Sequence, residues 1–244
     1  MRLITSFLLL LCSLSAAYGT TKVIYNKGDT KLIRSKETLL LKKGLTLLHG
    51  DKIMTGDSGL VIIKSRASTY KISKNSYLIL DLKTEEIINS NINYGSAVIE
   101  FARRKLVKSV GKTLTVKTRT AAFGVRGTKF FSYVDKKNKN SILSVEHGKV
   151  AFKGSASKKE TLVKKNKSSM TNIKKKHLES KRFGFENKIN WNLSSSKGKL
   201  SQNKKLFSEL EKTWKRHKHD QAKKWNKQKN DMKSRWEQMN NQSM

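Results

Sequence analysis

Across residues 22–152 the chain breaks into short runs rich in Val, Ile, Leu, Tyr, Phe and Thr, separated by clusters of Gly, Asn, Asp, Ser and Lys. Several runs alternate cleanly, as Thr113-Leu114-Thr115-Val116-Lys117 does, and a period of two describes a strand with one buried and one wet face. The pattern predicts strands at 22–25, 31–34, 53–54, 59–64, 68–72, 77–80, 87–92, 96–101, 113–118, 129–134, 141–146 and 149–152. Gly and Asn do the punctuating, because the chain has no proline. Gly56, Gly59, Gly95, Gly127 and Gly148 stand where turns need positive φ, and Glu146-His147-Gly148-Lys149 reads as a tight hairpin connection. These runs make residues 20–152 a mainly β domain, and about 130 residues suffice to bury a core.

The pattern changes after Phe152. Residues 153–182 are rich in Lys, Ser and Asn with single apolar residues, too few to offset the entropy of ordering them, so 153–200 reads as a basic linker. It carries one apolar island, Phe183, Phe185, Ile189, Trp191 and Leu193, suited to docking back on the β domain. Residues 201–240 contain no Gly or Pro and are filled with Lys, Gln, Glu, Leu, Met and Trp, which predicts a helix. Trp214, Trp225 and Trp236 recur every eleven residues, and Glu209, Asp220 and Asp231 keep the same interval. Eleven residues at about 100° each make three turns with roughly 20° of drift, so the tryptophans form one slowly rotating stripe. Leu206, Leu210, Met232 and Met239 extend the stripe, and His217, Gln221 and Gln228 interrupt it.

The first residues change the setting. Met1-Arg2, an apolar run of about a dozen residues, and the small-residue segment Ser15-Ala16-Ala17-Tyr18-Gly19 have the layout of a cleavable secretory signal over residues 1–19. The run is shorter than the roughly 20 residues that span a bilayer, and cleavage fits after Ala17 or after Gly19. Cys12 is the only cysteine and lies within that signal, preceded by Leu11, a poor setting for lipid attachment. The mature chain is then expected to hold no disulfide, thiolate metal site or cysteine nucleophile, which fits a bacterial periplasm or outer-membrane surface.

Charge narrows the partner. Residues 20–152 carry 26 Lys and Arg against 10 Asp and Glu, and residues 153–244 carry 26 against 8 in a shorter stretch. Such an excess attracts polyanions: anionic lipid, lipopolysaccharide, acidic wall polymer or nucleic acid, with an envelope protein as a further candidate.

One series of strings is more specific than composition. Leu48-His49-Gly50-Asp51-Lys52-Ile53-Met54-Thr55-Gly56 is followed by Gly59-Leu60-Val61-Ile62-Ile63, Ser76-Tyr77-Leu78-Ile79-Leu80 and Tyr94-Gly95-Ser96-Ala97-Val98. Then come Ala121-Ala122-Phe123-Gly124-Val125-Arg126-Gly127-Thr128-Lys129-Phe130 and Val145-Glu146-His147-Gly148-Lys149-Val150. In this order they resemble the FecR domain, a β-rich periplasmic module of bacterial envelope proteins, over nearly all of 22–152. The resemblance implies a β-sandwich or β-solenoid, with Gly50, Asp51, Thr55, Gly56, Gly95, Arg126, Gly127, Thr128 and Gly148 as structural motif positions. Family members usually have Pro where Arg119 stands, a departure confined to one turn. The best-known members carry a cytoplasmic sigma-factor-binding segment and a transmembrane helix ahead of this domain, and this chain is expected to have neither.

No enzymatic site emerges. Gly124-Val125-Arg126-Gly127-Thr128 lacks the Gly-Lys-Ser/Thr ending and following helix of a phosphate loop, so it reads as glycines leading into a strand that starts at Thr128. Asp51 and Asp57 read as turn caps rather than calcium ligands, for want of further acids. His217 and His219 fall on different helical faces and lack a third ligand. No cofactor, metal or catalytic group is expected. The candidate binding residues are those of the tail: Lys215, Arg216, Lys218, Lys223, Lys224, Lys227, Lys229, Lys233 and Arg235 for phosphates, with Trp214, Trp225 and Trp236 entering a lipid interface, or stacking on bases in the nucleic-acid alternative. A bland role remains beside these, in which the stripe packs on the β domain or on a second copy.

Overall fold

The computed structural model describes residues 21–84, 87–102, 114–155, 160–171, 180–194 and 201–242; the expected signal over 1–19 lies outside them. Fifteen strands follow in order: β1 (Lys22–Lys27), β2 (Thr30–Arg34), β3 (Glu37–Leu40), β4 (Lys52–Thr55), β5 (Leu60–Lys64), β6 (Ser68–Ile72), β7 (Ser76–Thr84), β8 (Ile87–Phe101), β9 (Leu114–Thr118), β10 (Ala121–Val125), β11 (Thr128–Val134), β12 (Ser141–His147), β13 (Lys149–Gly154), β14 (Glu160–Lys164) and β15 (Ser168–Thr171). A 3-10 turn, Glu186–Lys188, and the helix α1, Ser201–Gln242, are the other elements among the described residues.

The strands form one open hydrogen-bonded network folded into two layers. Sheet A runs β1-β5-β6-β8-β11-β12-β15, and sheet B runs β3-β2-β4-β7-β8-β9-β10-β13-β14. Strand β8 belongs to both. Its first half pairs with β7 and, in parallel, with β9; its second half, from Gly95, pairs with β6 and β11. The bend falls at Gly95, whose φ is +91° and where any Cβ would collide with the Ser76 side chain and backbone.

The chain crosses repeatedly between layers, and the corners carry Gly28, Asn75, Gly127, Gly148 and Asn166 at positive φ. The inward residues of both layers meet in one core that includes Leu32, Ile53, Val61, Ile63, Tyr70, Leu78, Ile92, Ile99, Phe123, Phe130, Leu143 and Phe152. Phe123 and Phe152 stack there across β10 and β13, with centroids 5.2 Å apart. Two layers over a shared core make the fold a mainly β sandwich with a helical tail.

Five features differ from the sequence-based expectation. Gly56 and Gly59 do not take positive φ and are favoured instead by the close approach of Asp29. The runs 87–92 and 96–101 are a single bent strand. β3 and β10 were not expected; the segment Ala121-Ala122-Phe123-Gly124 is poor in β-branched residues, yet its inward Phe123 and Val125 seat it in the core. Glu146-His147-Gly148-Lys149 is no hairpin, because β12 pairs with β11 and β15 whereas β13 pairs with β10 and β14. The connection is a corner between layers. Finally, β14 and β15 lie within the expected linker, seated by buried Val163 and Met170.

The apolar island also has a fixed place. Phe185 and Ile189 form a second buried cluster with Val98, Phe131, Ile142 and Met170 on the outer side of sheet A, flanked by Phe183, Trp191 and Leu193. Glu186 anchors this strap: its carboxylate, almost fully buried, accepts from Ser168 Oγ at 2.7 Å, the Phe183 amide at 2.9 Å and the Gly184 amide at 2.7 Å.

Candidate functional site

Two sets of residues compete for a functional role, and the structure separates them. The motif residues of the β domain lie in its turns and corners. Asp51, 1% exposed, receives the Leu48 amide at 2.8 Å and both Arg34 Nε at 2.8 Å and an Arg34 terminal nitrogen at 2.7 Å. It caps its turn, as expected, and also ties that turn to β2; the Asp51 hydrogen bonds raise the Arg34 pKa. Asp57 accepts from Asn75 Nδ2 at 2.7 Å, a second turn contact.

Thr55 Oγ1 donates to the Ser73 carbonyl at 2.6 Å and accepts the Ser76 amide at 2.9 Å, joining two corners, while the Gly50 and Gly56 amides bond to Leu80 O and Asp29 O at 2.9 Å. Arg126 is exposed and Thr128 starts β11. The Thr128 hydroxyl lies 3.1 Å from the Arg126 carbonyl and 3.0 Å from the Lys149 carbonyl, so it joins the corners that contain Gly127 and Gly148.

Buried polar groups elsewhere also face inward or against the strap. Burial pushes the Tyr70 hydroxyl pKa up, with the Ser90 hydrogen bond opposing. Lys71 is buried on the outer side of sheet A, and Nζ donates to the Asn192 carbonyl at 2.5 Å. Burial, then the neighbouring Lys129 charge, lowers its pKa. Among the described residues no group of three or more His, Cys, Asp and Glu could hold a metal ion.

The tail is the opposite case. Every described side chain from Ala222 to Asn240 is exposed, and Trp225, Met232, Trp236 and Met239 are each 61–62% exposed. Lys215, Arg216, Lys223, Lys224, Lys227, Lys229, Lys233 and Arg235 are exposed as well. Trp214 and Lys218 hold helical positions, with side chains outside the described set. Helical geometry gathers the four apolar residues on one face: relative to Trp225, Met232 lies about −20°, Trp236 about +20° and Met239 about −40° around the axis.

Cations border that face: Lys229 and Lys233 lie at about +40° and +80°, and Arg235 and Lys224 at about −80° and −100°. An ion pair, Lys233 with Glu237 at 3.7 Å, crosses one turn. No described helix is long and apolar enough to cross a membrane. The residues that sequence reasoning missed are Arg34, Lys71 and Glu186, each defined by a partner distant in the chain.

The family model described as FecR protein matches residues 51–151. Two crystal structures of a candidate anti-sigma factor from Parabacteroides distasonis, at 2.50 and 1.65 Å resolution, are similar at 19% and 18% identity, each with a TM-score of 0.45. In both cases the similarity covers 54% of this chain and 59% of the other. No curated protein matches. The matched segment, residues 51–151, lies within the β domain and is a FecR-family segment of this chain.

Proposed function

We propose that this chain is an exported, non-enzymatic envelope module, periplasmic or bound to the outer membrane, in which the FecR domain senses or scaffolds and α1 holds it to an anionic lipid surface. The observation that carries the reading is the exposed face of Trp225, Met232, Trp236 and Met239 bordered by cations. A stripe repeating every eleven residues stays nearly straight along a helix, so both tryptophans and both methionines reach a flat interface together. The bordering Lys and Arg then sit at headgroup depth, each contributing about 1 kcal/mol near an anionic surface. The strap supports the same reading, since it fixes the chain on sheet A shortly before α1 begins. Lipopolysaccharide and wall polymer share the anionic chemistry, and an envelope protein would have to present an acidic surface.

Tryptophan emission tests this. Vesicles containing phosphatidylglycerol should shift the emission to the blue, and vesicles of phosphatidylcholine alone should not. Single-stranded DNA is the competing ligand: quenching by it that persists at high salt, with no shift on anionic vesicles, assigns α1 to base stacking and overturns the lipid reading.

A further inference from the structure

Sheet A is covered on its outer side by the strap, but the outer side of sheet B is open along β9, β10, β13 and β14. Its middle is one cross-strand row, small on three strands and closed at β14 by a half-exposed leucine: Thr115 pairs with Gly124, Gly124 with Ala151, and Ala151 with Leu162. Lysines stand on both sides. Ala122, two residues along, lies between Lys117 and Lys153, and on the other side Lys149 pairs directly with Lys164. All four lysines are exposed, and Glu160, opposite Lys153, is the acid that the register places beside them. The lysine rows are four residues apart along the strands, roughly 13 Å, and the floor spans four strands, roughly 14 Å.

Two observations are unexplained by the fold. Gly124 sits in mid-strand with an unbroken register on both sides and a φ that any residue adopts, and a Cβ there would meet only the Ala151 methyl, at an ordinary 3.7 Å. Glycine in a strand interior costs stability, so a position that sterically accepts a side chain yet lacks one marks a close approach from outside. Independently, Lys149 and Lys164 face each other as a like-charged cross-strand pair, which is destabilising until an anion lies between them.

We propose that this strip of sheet B binds a linear anionic glycan, its sugars lying on Thr115, Gly124 and Ala151 and its acidic groups between the lysine rows. The floor has no aromatic ring for a base to stack on, and no deep apolar pocket for the side chains of a peptide. The ligand's charge can be carboxylate or phosphate. The site does not use α1, so it stands or falls apart from the lipid reading.

Lysine acetylation, mapped residue by residue in the full protein, reads the two surfaces separately. Polygalacturonate supplies sugars with carboxylates, and a linear phosphomannan supplies sugars with phosphates. At least one should slow acetylation of Lys117, Lys149, Lys153 and Lys164 about fivefold or more at moderate salt. Which one does so identifies the charge. Gly124→Phe should keep the melting temperature yet abolish protection at these four lysines, leaving helix lysines unaffected. Lys149→Gln with Lys164→Gln supplies a second variant that removes a repulsion, and it should weaken protection of Lys117 and Lys153. No protection by either polymer, undiminished protection in both variants, or equal protection by single-stranded oligothymidylate would each overturn the assignment.

Discussion

Gly148 and Thr128 meet where two corners of the sandwich touch: a Cβ on Gly148 would lie 2.8 Å from Thr128 Oγ1 and 2.7 Å from the Gly127 carbonyl oxygen. Gly148 also has φ +82°, so both backbone and space exclude a side chain. Gly148→Ala should therefore destabilise the domain by about 1–3 kcal/mol. A thermal melt should register this as a fall of several degrees, with no change in binding by α1.

Asp51 links a turn to β2 through Arg34, and the pair is only partly shielded because Arg34 is 27% exposed. Asp51→Ala removes the acceptor of three hydrogen bonds and should cost about 2–3 kcal/mol, below the value for a fully buried pair because water reaches the guanidinium. Denaturant unfolding measures it. Arg34→Lys should recover part of the wild-type contact and lose the two-nitrogen geometry.

Glu186 holds the strap by accepting from two amides and a hydroxyl. Glu186→Ala leaves those donors against an apolar cluster and should release the strap before the sandwich itself unfolds. Hydrogen exchange should accelerate over residues 181–193 while the strands of the shared core stay protected.

Lys71 gives a pH dependence of definite sign. Burial holds its folded-state pKa below the ordinary lysine value, so above the folded pKa the native state binds fewer protons than the unfolded chain and stability rises with pH up to the unfolded value. Lys71→Met removes that term. The melting temperature of the variant relative to wild type should decline as pH is raised through the alkaline range; a constant difference would contradict burial of the charge.

Much of this arrangement was legible in local pattern. Alternation marked β9, a run rich in aromatic residues marked β11, and the eleven-residue recurrence of tryptophan marked a continuous helix with an apolar stripe. Non-local partners were not legible. The residues around Gly148 look the same in a hairpin and in a corner; what decides is that β12 finds β11 and β15 while β13 finds β10 and β14. β15, Ser168-Ser169-Met170-Thr171, is entirely buried although mostly polar, because it pairs with β12 at the edge of sheet A, with Met170 in the strap cluster and Ser168 bonded to Ser144 and Glu186. Glu186 reads as one more surface acid until Ser168 and two strap amides surround it. The tail residues were legible as a set because helical spacing alone places them on one face.

Vesicle flotation measures the attachment by α1 most directly. The full chain should rise with phosphatidylglycerol-containing vesicles, remain behind with phosphatidylcholine vesicles, and lose flotation when residues 201–244 are removed or when Trp225→Ala and Trp236→Ala are combined. Flotation undiminished by removal of the helix would contradict the account.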